Sequence, residues 1–480
     1  MSTPSPTALD RARTKAYLRL LPMLFICYII AYVDRANVGF VKLTMQKDLP
    51  QLDDKIFGFG MGICFFVGYF LLEIPGTLMV ERWSARKWFC RIMVSWGIIA
   101  ALTAFVNLRW PVVAGMIEGT GRLFGTSSSV AEYQFYLVRF LLGLAEAGFF
   151  PGVIVYLTHW FPSKDRARAL AYFFIATPIA QFIGPPISGQ LLKIGTEGRP
   201  ELFGLEGWQV AFVFWGLPAV ILGILVLFVL TDRPAQARWL EPEEREALEQ
   251  ELAREKAARH SSHHMTVLEA LRHPKVMLLT AAYFFVVTGN YGIEFFLPSI
   301  IQSWYGLSPQ NISFLVIIPP LGSLVGQLFI GWSSDHFQER RLHASVPIYL
   351  GALALVCTLL SQGRLWLTVT LFTLAMTGLK AYLPAFWALP SLFLTSSAAA
   401  GSIGMINSFG NLGGGFGSYL MGWVKKATGS FQNGILMLAA SMIVSATIIV
   451  LLGLGRQVRA GKAKPETVAD PLAEVLPEPV

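Results

Sequence analysis

Twelve apolar stretches, each about twenty residues long, leave this 480-residue chain few folds to choose from. A helix rises 1.5 Å per residue, so ~20 apolar residues cross the ~30 Å hydrocarbon core of a bilayer. Six runs fall near residues 20–43, 56–80, 88–106, 134–157, 168–192 and 208–230. Six more fall near 275–302, 311–332, 344–362, 365–391, 400–423 and 431–455. Composition agrees, with 54% hydrophobic and 14% charged residues and a mean hydropathy of +0.54; a soluble domain carries roughly 25% charged residues. The fold class is therefore an all-α integral membrane protein. Two six-helix halves, 20–230 and 275–455, are joined by a polar segment at 231–274 and flanked by tails at 1–19 and 456–480.

Orientation follows from Lys and Arg, which gather in cytoplasmic loops. Arg11, Arg13, Lys15 and Arg19 precede the first run; Arg82, Arg86, Lys87 and Arg91 follow the second. Lys164, Arg166 and Arg168 follow the fourth, Arg340 and Arg341 the eighth, and Arg456, Arg459, Lys462 and Lys464 the twelfth. All share one side if both termini are cytoplasmic, and the other side keeps fewer, among them Lys47, Arg109, Lys193 and Lys425. The polar N-terminus carries no small-residue cleavage site, so the first run is expected to act as signal anchor and spanning helix. The net charge of +8 is scattered between spans and forms no stripe, which argues against nucleic acid as a partner. Cys27, Cys64, Cys90 and Cys357 are isolated, with neither metal-ligand spacing nor a disulfide framework. In the polar segment, Glu241 to Arg259 reads as a solvated helix with i,i+4 pairs such as Glu241–Arg245. His260, His263 and His264 lack a Cys or carboxylate placed to complete a metal site, and no metal is expected.

The halves echo each other. Gly76, Glu81, Arg82, Arg86 and Lys87 after the second run match Gly331, Asp335, Arg340 and Arg341 after the eighth. Gly184-Pro185-Pro186 and Gly189 crowd the fifth run as Gly413-Gly414-Gly415 and Gly417 crowd the eleventh. Such duplication points to a transporter that rocks two bundles about a midplane site.

Charge inside a span costs at least ~2.5–3.5 kcal/mol and marks function by default. Asp34 and Arg35 stand in the first run; Arg139 and Glu146 stand in the fourth, seven residues and ~10 Å apart on nearly one face. Low dielectric favours a neutral acid and a nearby guanidinium favours its anion, so the balance permits proton exchange. Proton coupling is assigned to Asp34 and Glu146 and anion binding to Arg35, whose planar fork matches a carboxylate. Arg139 is expected to hold Glu146. A static charge network is the alternative.

These residues resemble a known family. Asp34-Arg35-Ala36-Asn37-Val38-Gly39 is similar to the first-helix motif of the anion:cation symporters of the major facilitator superfamily. That family includes galactonate, tartrate and phthalate permeases and vesicular glutamate and sialic acid carriers. Arg139 to Gly152 (RFLLGLAEAGFFPG) resembles its fourth-helix signature, and Thr231 to Leu240 (TDRPAQARWL) resembles the start of its central loop. Phe386-Trp387-Ala388-Leu389-Pro390 and Ile406 to Asn411 resemble its tenth and eleventh helices. The resemblance, over about residues 15–455, implies twelve helices in two pseudo-symmetric bundles and proton-coupled uptake of a small organic anion through a bacterial inner membrane. It implies Arg35 at the substrate carboxylate, Asp34 and Glu146 as proton carriers, and Tyr69, Trp387 and Asn407 as pocket residues. Asn37, Asn290 and Asn411 are further polar candidates.

Three features depart from the family pattern. The connection from Asn107 to Tyr133 is long and holds Glu118, Arg122 and Ser127-Ser128-Ser129; Glu294 and Lys380 put charge in spans seven and ten. Those spans are the counterparts of one and four, which line the cavity, so both charges are expected to face it. Counting residues sets their depths ~12 Å apart. Lys380 either binds a second carboxylate or polar group of the substrate, or forms a local charge pair without substrate contact. Of the weaker candidates, His159 reads as interfacial and Glu73 as support for a bend or gate.

The expected function is thus a proton-coupled importer of a sugar acid, aromatic acid or dicarboxylate, working as a monomer in lipid and driven by the proton gradient without a cofactor. The alternatives are a proton-independent exchanger and a transporter-like sensor. No H-E-x-x-H or G-x-S-x-G pattern in a span suggests an enzyme.

Overall fold

The computed structural model describes residues 7–115, 129–195, 201–259, 272–392 and 396–453. Glu118, Arg122, Ser127 and Ser128 of the long connection, the three histidines at 260, 263 and 264, and the basic C-terminal tail lie outside the described residues. Eleven of the helical segments described are long and apolar enough to cross a membrane. The expected eleventh span is a continuous helix, Ser396–Thr428, that Gly, Ser and Asn keep less apolar than the rest.

The first helix runs Ala8–Asp48, well before the expected start near residue 20. Thr7 caps it through a reciprocal pair with Asp10, so the basic tail residues Arg11, Arg13 and Lys15 are helical. Several later spans are built from pieces. Span two passes from Asp54–Gly58 through a π-helical turn, Phe59–Cys64, into Phe65–Arg82. Span four breaks between Val130–Glu146 and Phe149–Thr158, and span ten between Leu365–Ala381 and Leu383–Ala388. The polar segment holds a helix at Pro242–Arg259. There the Arg245 guanidinium donates to the carbonyls of Ala237 at 2.9 Å and Leu240 at 3.3 Å.

Packing repeats between the halves. Span one lies on five and six as seven (Pro274–Tyr305) lies on eleven and twelve; two lies on four as eight lies on ten; three lies on six as nine lies on twelve. Between the halves, one meets seven, while two meets eleven and its symmetry mate eight meets five. Glycines permit the closest approaches: a Cβ at Gly62 would stand 2.4 Å from the Gly415 carbonyl oxygen. Small residues let helix backbones approach where lipid offers no hydrophobic drive.

At the end away from the N-terminus the halves are sealed. Asp53 pairs with Lys426 across them, and the buried Lys42 pairs with Asp54 while its ammonium lies 4.0 Å over the Phe296 ring of span seven. Gly189 of span five faces Ser313 at the same end.

Candidate functional site

Four charged groups from spans one and four converge mid-span, but not in the expected pairing. Arg35, not Arg139, holds Glu146. Glu146 ends its helix, and Ala147 (ψ 137°) and Gly148 (φ +83°) turn the chain through a conformation that favours glycine. Arg139 and Glu146 lie in one continuous helix, Val130–Glu146, seven residues or ~10 Å apart along its axis, whereas Arg35 of span one reaches the Glu146 carboxylate directly. Inside a membrane the freed carbonyls need donors. Arg91 of span three supplies one, donating to the Ala145 oxygen at 3.1 Å.

Arg35 is ringed by acceptors and aromatic faces. Its Nη1 donates to the Tyr291 hydroxyl of span seven at 3.4 Å, and its guanidinium lies 5.4 Å from the Phe65 ring and 5.5 Å from the Tyr69 ring. Arg139 sits 5.3 Å from the same Phe65 ring, so one aromatic contacts two guanidiniums; its Nε and Nη2 are buried without a hydrogen-bond partner among the described residues. Asp34 is buried and accepts from Trp96 Nε1 at 2.8 Å, leaving Oδ1 unpartnered among the described residues.

Glu294 and Lys380 form an ion pair at 3.3 Å, and the expected difference in depth is absent. Glu294 also accepts from Tyr32 and Gln181 of the first half, at 2.7 and 2.8 Å, and from Asn290 at 3.2 Å. Asn407 donates to Glu73 across the halves at 3.0 Å, which makes Glu73 an interdomain contact. Trp387 meets Tyr283 edge to face at 5.0 Å. Asn37 accepts from Ser188 at 2.7 Å inside the first bundle, so it buttresses spans one and five instead of lining the site. Asn411 is half-buried on span eleven. His159 pairs with Glu81 at 3.5 Å; burial first, then Arg233, holds its imidazole below the ordinary range. Among the described residues no three His, Cys, Asp or Glu side chains cluster as a metal site.

Sequence reading missed Tyr32, Lys42, Gln181 and Tyr291. Lys42 alone offered a signal, a charge within the last turns of the first apolar run.

The profile described as Major Facilitator Superfamily matches residues 24–418, with a second match over 280–477. The chain belongs to that superfamily. A putative tartrate transporter of Agrobacterium vitis is 38% identical over 455 residues, 95% of this chain and 98% of that protein. A quinolone resistance transporter of Acinetobacter baumannii is 37% identical over 93% of this chain and 96% of its own. The inward-open xylose transporter XylE of Escherichia coli, 14% identical, shares the fold with a TM-score of 0.67 over 92% of this chain and 97% of that one. This member of the superfamily is a multi-pass membrane transporter and not an enzyme.

Proposed function

We propose that the chain imports a small organic anion with protons by alternating access, as a monomer in a bacterial inner membrane with both termini in the cytoplasm. The observation that carries this is the Arg35–Glu146 pair: a buried acid and the more open cation, with side-chain exposures of 5% and 16%. A substrate carboxylate competes with Glu146 for the same guanidinium fork, and a proton on Glu146 settles the competition in favour of substrate. Asp34, one residue before Arg35, is the second proton carrier. Tyr69 and Phe65 wall the guanidinium, and Tyr291 brings the other half of the chain to it.

In the cycle, Asp34 and Glu146 take protons at the outer face, Arg35 takes the anion, and the bundles rock. Anion and protons then leave to the cytoplasm, and Glu146 recovers Arg35. The name of the A. vitis relative, a putative tartrate transporter, supports an organic acid as substrate. The test is pH-gradient-driven uptake of a carboxylate panel, with R35A as blank. Glu146→Gln is expected to abolish accumulation while sparing exchange. Equal uptake with and without an inward proton gradient sinks proton coupling and leaves an exchanger.

A further inference from the structure

The second half carries a charge pair that the anion reading at Arg35 leaves unused. Glu294 on span seven and Lys380 on span ten stand where the internal repeat puts the counterparts of Arg35 on span one and Glu146 on span four. The signs are exchanged between the helices, but the design is the same. In each pair the acid is covered and the cation is more open, at 5% and 16% exposure in the first and 8% and 16% in the second. In each, the fourth helix of the half ends at the charged residue, at Glu146 and one residue past Lys380. In each, a side chain from a neighbouring span satisfies a carbonyl at that end: Arg91 on Ala145, and Gln327 on Lys380 at 3.1 Å.

The two acids differ in what they keep when their cation leaves. Glu294 retains three neutral donors, the Tyr32 hydroxyl and the Gln181 and Asn290 amides. Its carboxylate therefore stays hydrogen-bonded without the ammonium. Lys380 Nζ is the longest of the four contacts and has no other partner among the described residues. The ammonium is the releasable member of the cluster, and its flexible stem suits it to reach a new acceptor.

The two cations also lie in one cluster. Tyr32 and Arg35 are one turn apart on span one, as are Tyr291 and Glu294 on span seven, and each helix contacts both of the other's members: Tyr32 with Glu294, Arg35 with Tyr291. We infer that Lys380 is a second carboxylate anchor and that the substrates are small dicarboxylates, one end on Arg35 and the other on Lys380 in place of Glu294. This rests on the anion reading at Arg35 and goes beyond it.

Tartrate and threonate test it, since they share a four-carbon hydroxy-acid chain and differ only in whether the fourth carbon is a carboxylate or a hydroxymethyl group. The readout is the ratio of threonate to tartrate KM for uptake by the full-length protein in proteoliposomes, a ratio independent of how much protein folds. A charge-paired carboxylate is expected to give wild type a ratio of about tenfold or more. Lys380→Met brings the ratio near one, and Lys380→Arg, which keeps the charge, restores most of it. A wild-type ratio near one, or a ratio that survives Lys380→Met, overturns the second anchor and leaves the first standing. Undiminished uptake of both acids by Arg35→Ala overturns the reading at Arg35 instead, and wild-type uptake of neither acid overturns both.

Discussion

Tyr32 on the first span donates its hydroxyl to Glu294 on the seventh at 2.7 Å, a hydrogen bond to a buried carboxylate that ties the two halves together near the middle of their helices. A bond to a charged acceptor contributes roughly 1.5–3 kcal/mol. Opening the sealed end separates the halves, so Tyr32→Phe is expected to favour the opened state by about tenfold. The measurement is thiol labelling of Ser418→Cys in a background lacking Cys27, Cys64, Cys90 and Cys357. Ser418 is fully buried where span eleven meets Gly58 and Gly62 of span two. Unchanged labelling means that the bond persists in both states.

The Asp53–Lys426 pair at that end is a weaker latch with a definite pH window. Burial opposes ionisation of Asp53, but the hydrogen bonds from Lys426 and the Ile56 amide outweigh it and hold the carboxyl below its ordinary 3.8. A depressed carboxyl contributes closure above its ordinary value and loses that contribution as pH falls through the depressed one. Labelling at position 418 is therefore expected to be flat from pH 8 to 5 with respect to this pair and to rise only below about 3.8. Lys426 is 57% exposed, so solvent screening keeps the pair a weak contact. Asp53→Asn, which still caps the helix, is expected to raise labelling no more than about fivefold, and high salt to reproduce it. A larger, salt-insensitive effect contradicts this account.

The spans were legible because a bilayer demands ~20 apolar residues, and Asp34, Arg35 and Glu146 because charge there is costly. What pairs with what was not. Tyr32, Gln181 and Tyr291 carry no comparable insertion cost, so nothing in the sequence singles them out, yet they join the two centres. Lys42 is stabilised by Asp54 from the next helix and by Phe296 from the other half, partners that only tertiary packing supplies. The depth estimate for Glu294 and Lys380 failed because a 32-residue helix exceeds the hydrocarbon thickness, so counting from its ends fixes no depth.

Spans three and six meet through Gly97 and Gly216, where a Cβ on either would stand 2.5 Å from the other's carbonyl oxygen. The obstacle is backbone on both sides, which cannot yield as a side-chain tip can. Gly97→Val is expected to cost about 1–3 kcal/mol by overpacking and to lower the Tm in detergent by several degrees. Ile98→Ala, one residue away and half exposed on the outer surface, is the control expected to leave the Tm nearly unchanged. Equal stability of the two variants shows that the helices part without cost.

The helix between the halves is docked on the first half by Glu244, whose side chain is only 1% exposed and accepts from Lys15 at 2.7 Å and Arg11 at 3.3 Å. Burial raises its pKa, but the bonds from Lys15, the Glu241 amide and Arg11 outweigh burial and leave the carboxyl below its ordinary 4.5. Docking energy from this group is therefore complete above about 4.5 and is lost as pH falls through the lowered value. Both cations are more than two-fifths exposed, which limits the contribution to about 1 kcal/mol. Glu244→Gln is expected to speed hydrogen exchange of amides 245–252 by about fivefold at pH 7, after correction for intrinsic rates. Wild type is expected to stay distinct from the variant above pH 4.5 and to converge on it only as pH falls through the lowered Glu244 value, while the variant itself stays flat. Because this helix is the covalent path from one bundle to the other, its release lengthens the free tether between them. A slower exchange rate in the variant, or convergence already at pH 6, removes Glu244 as the docking group.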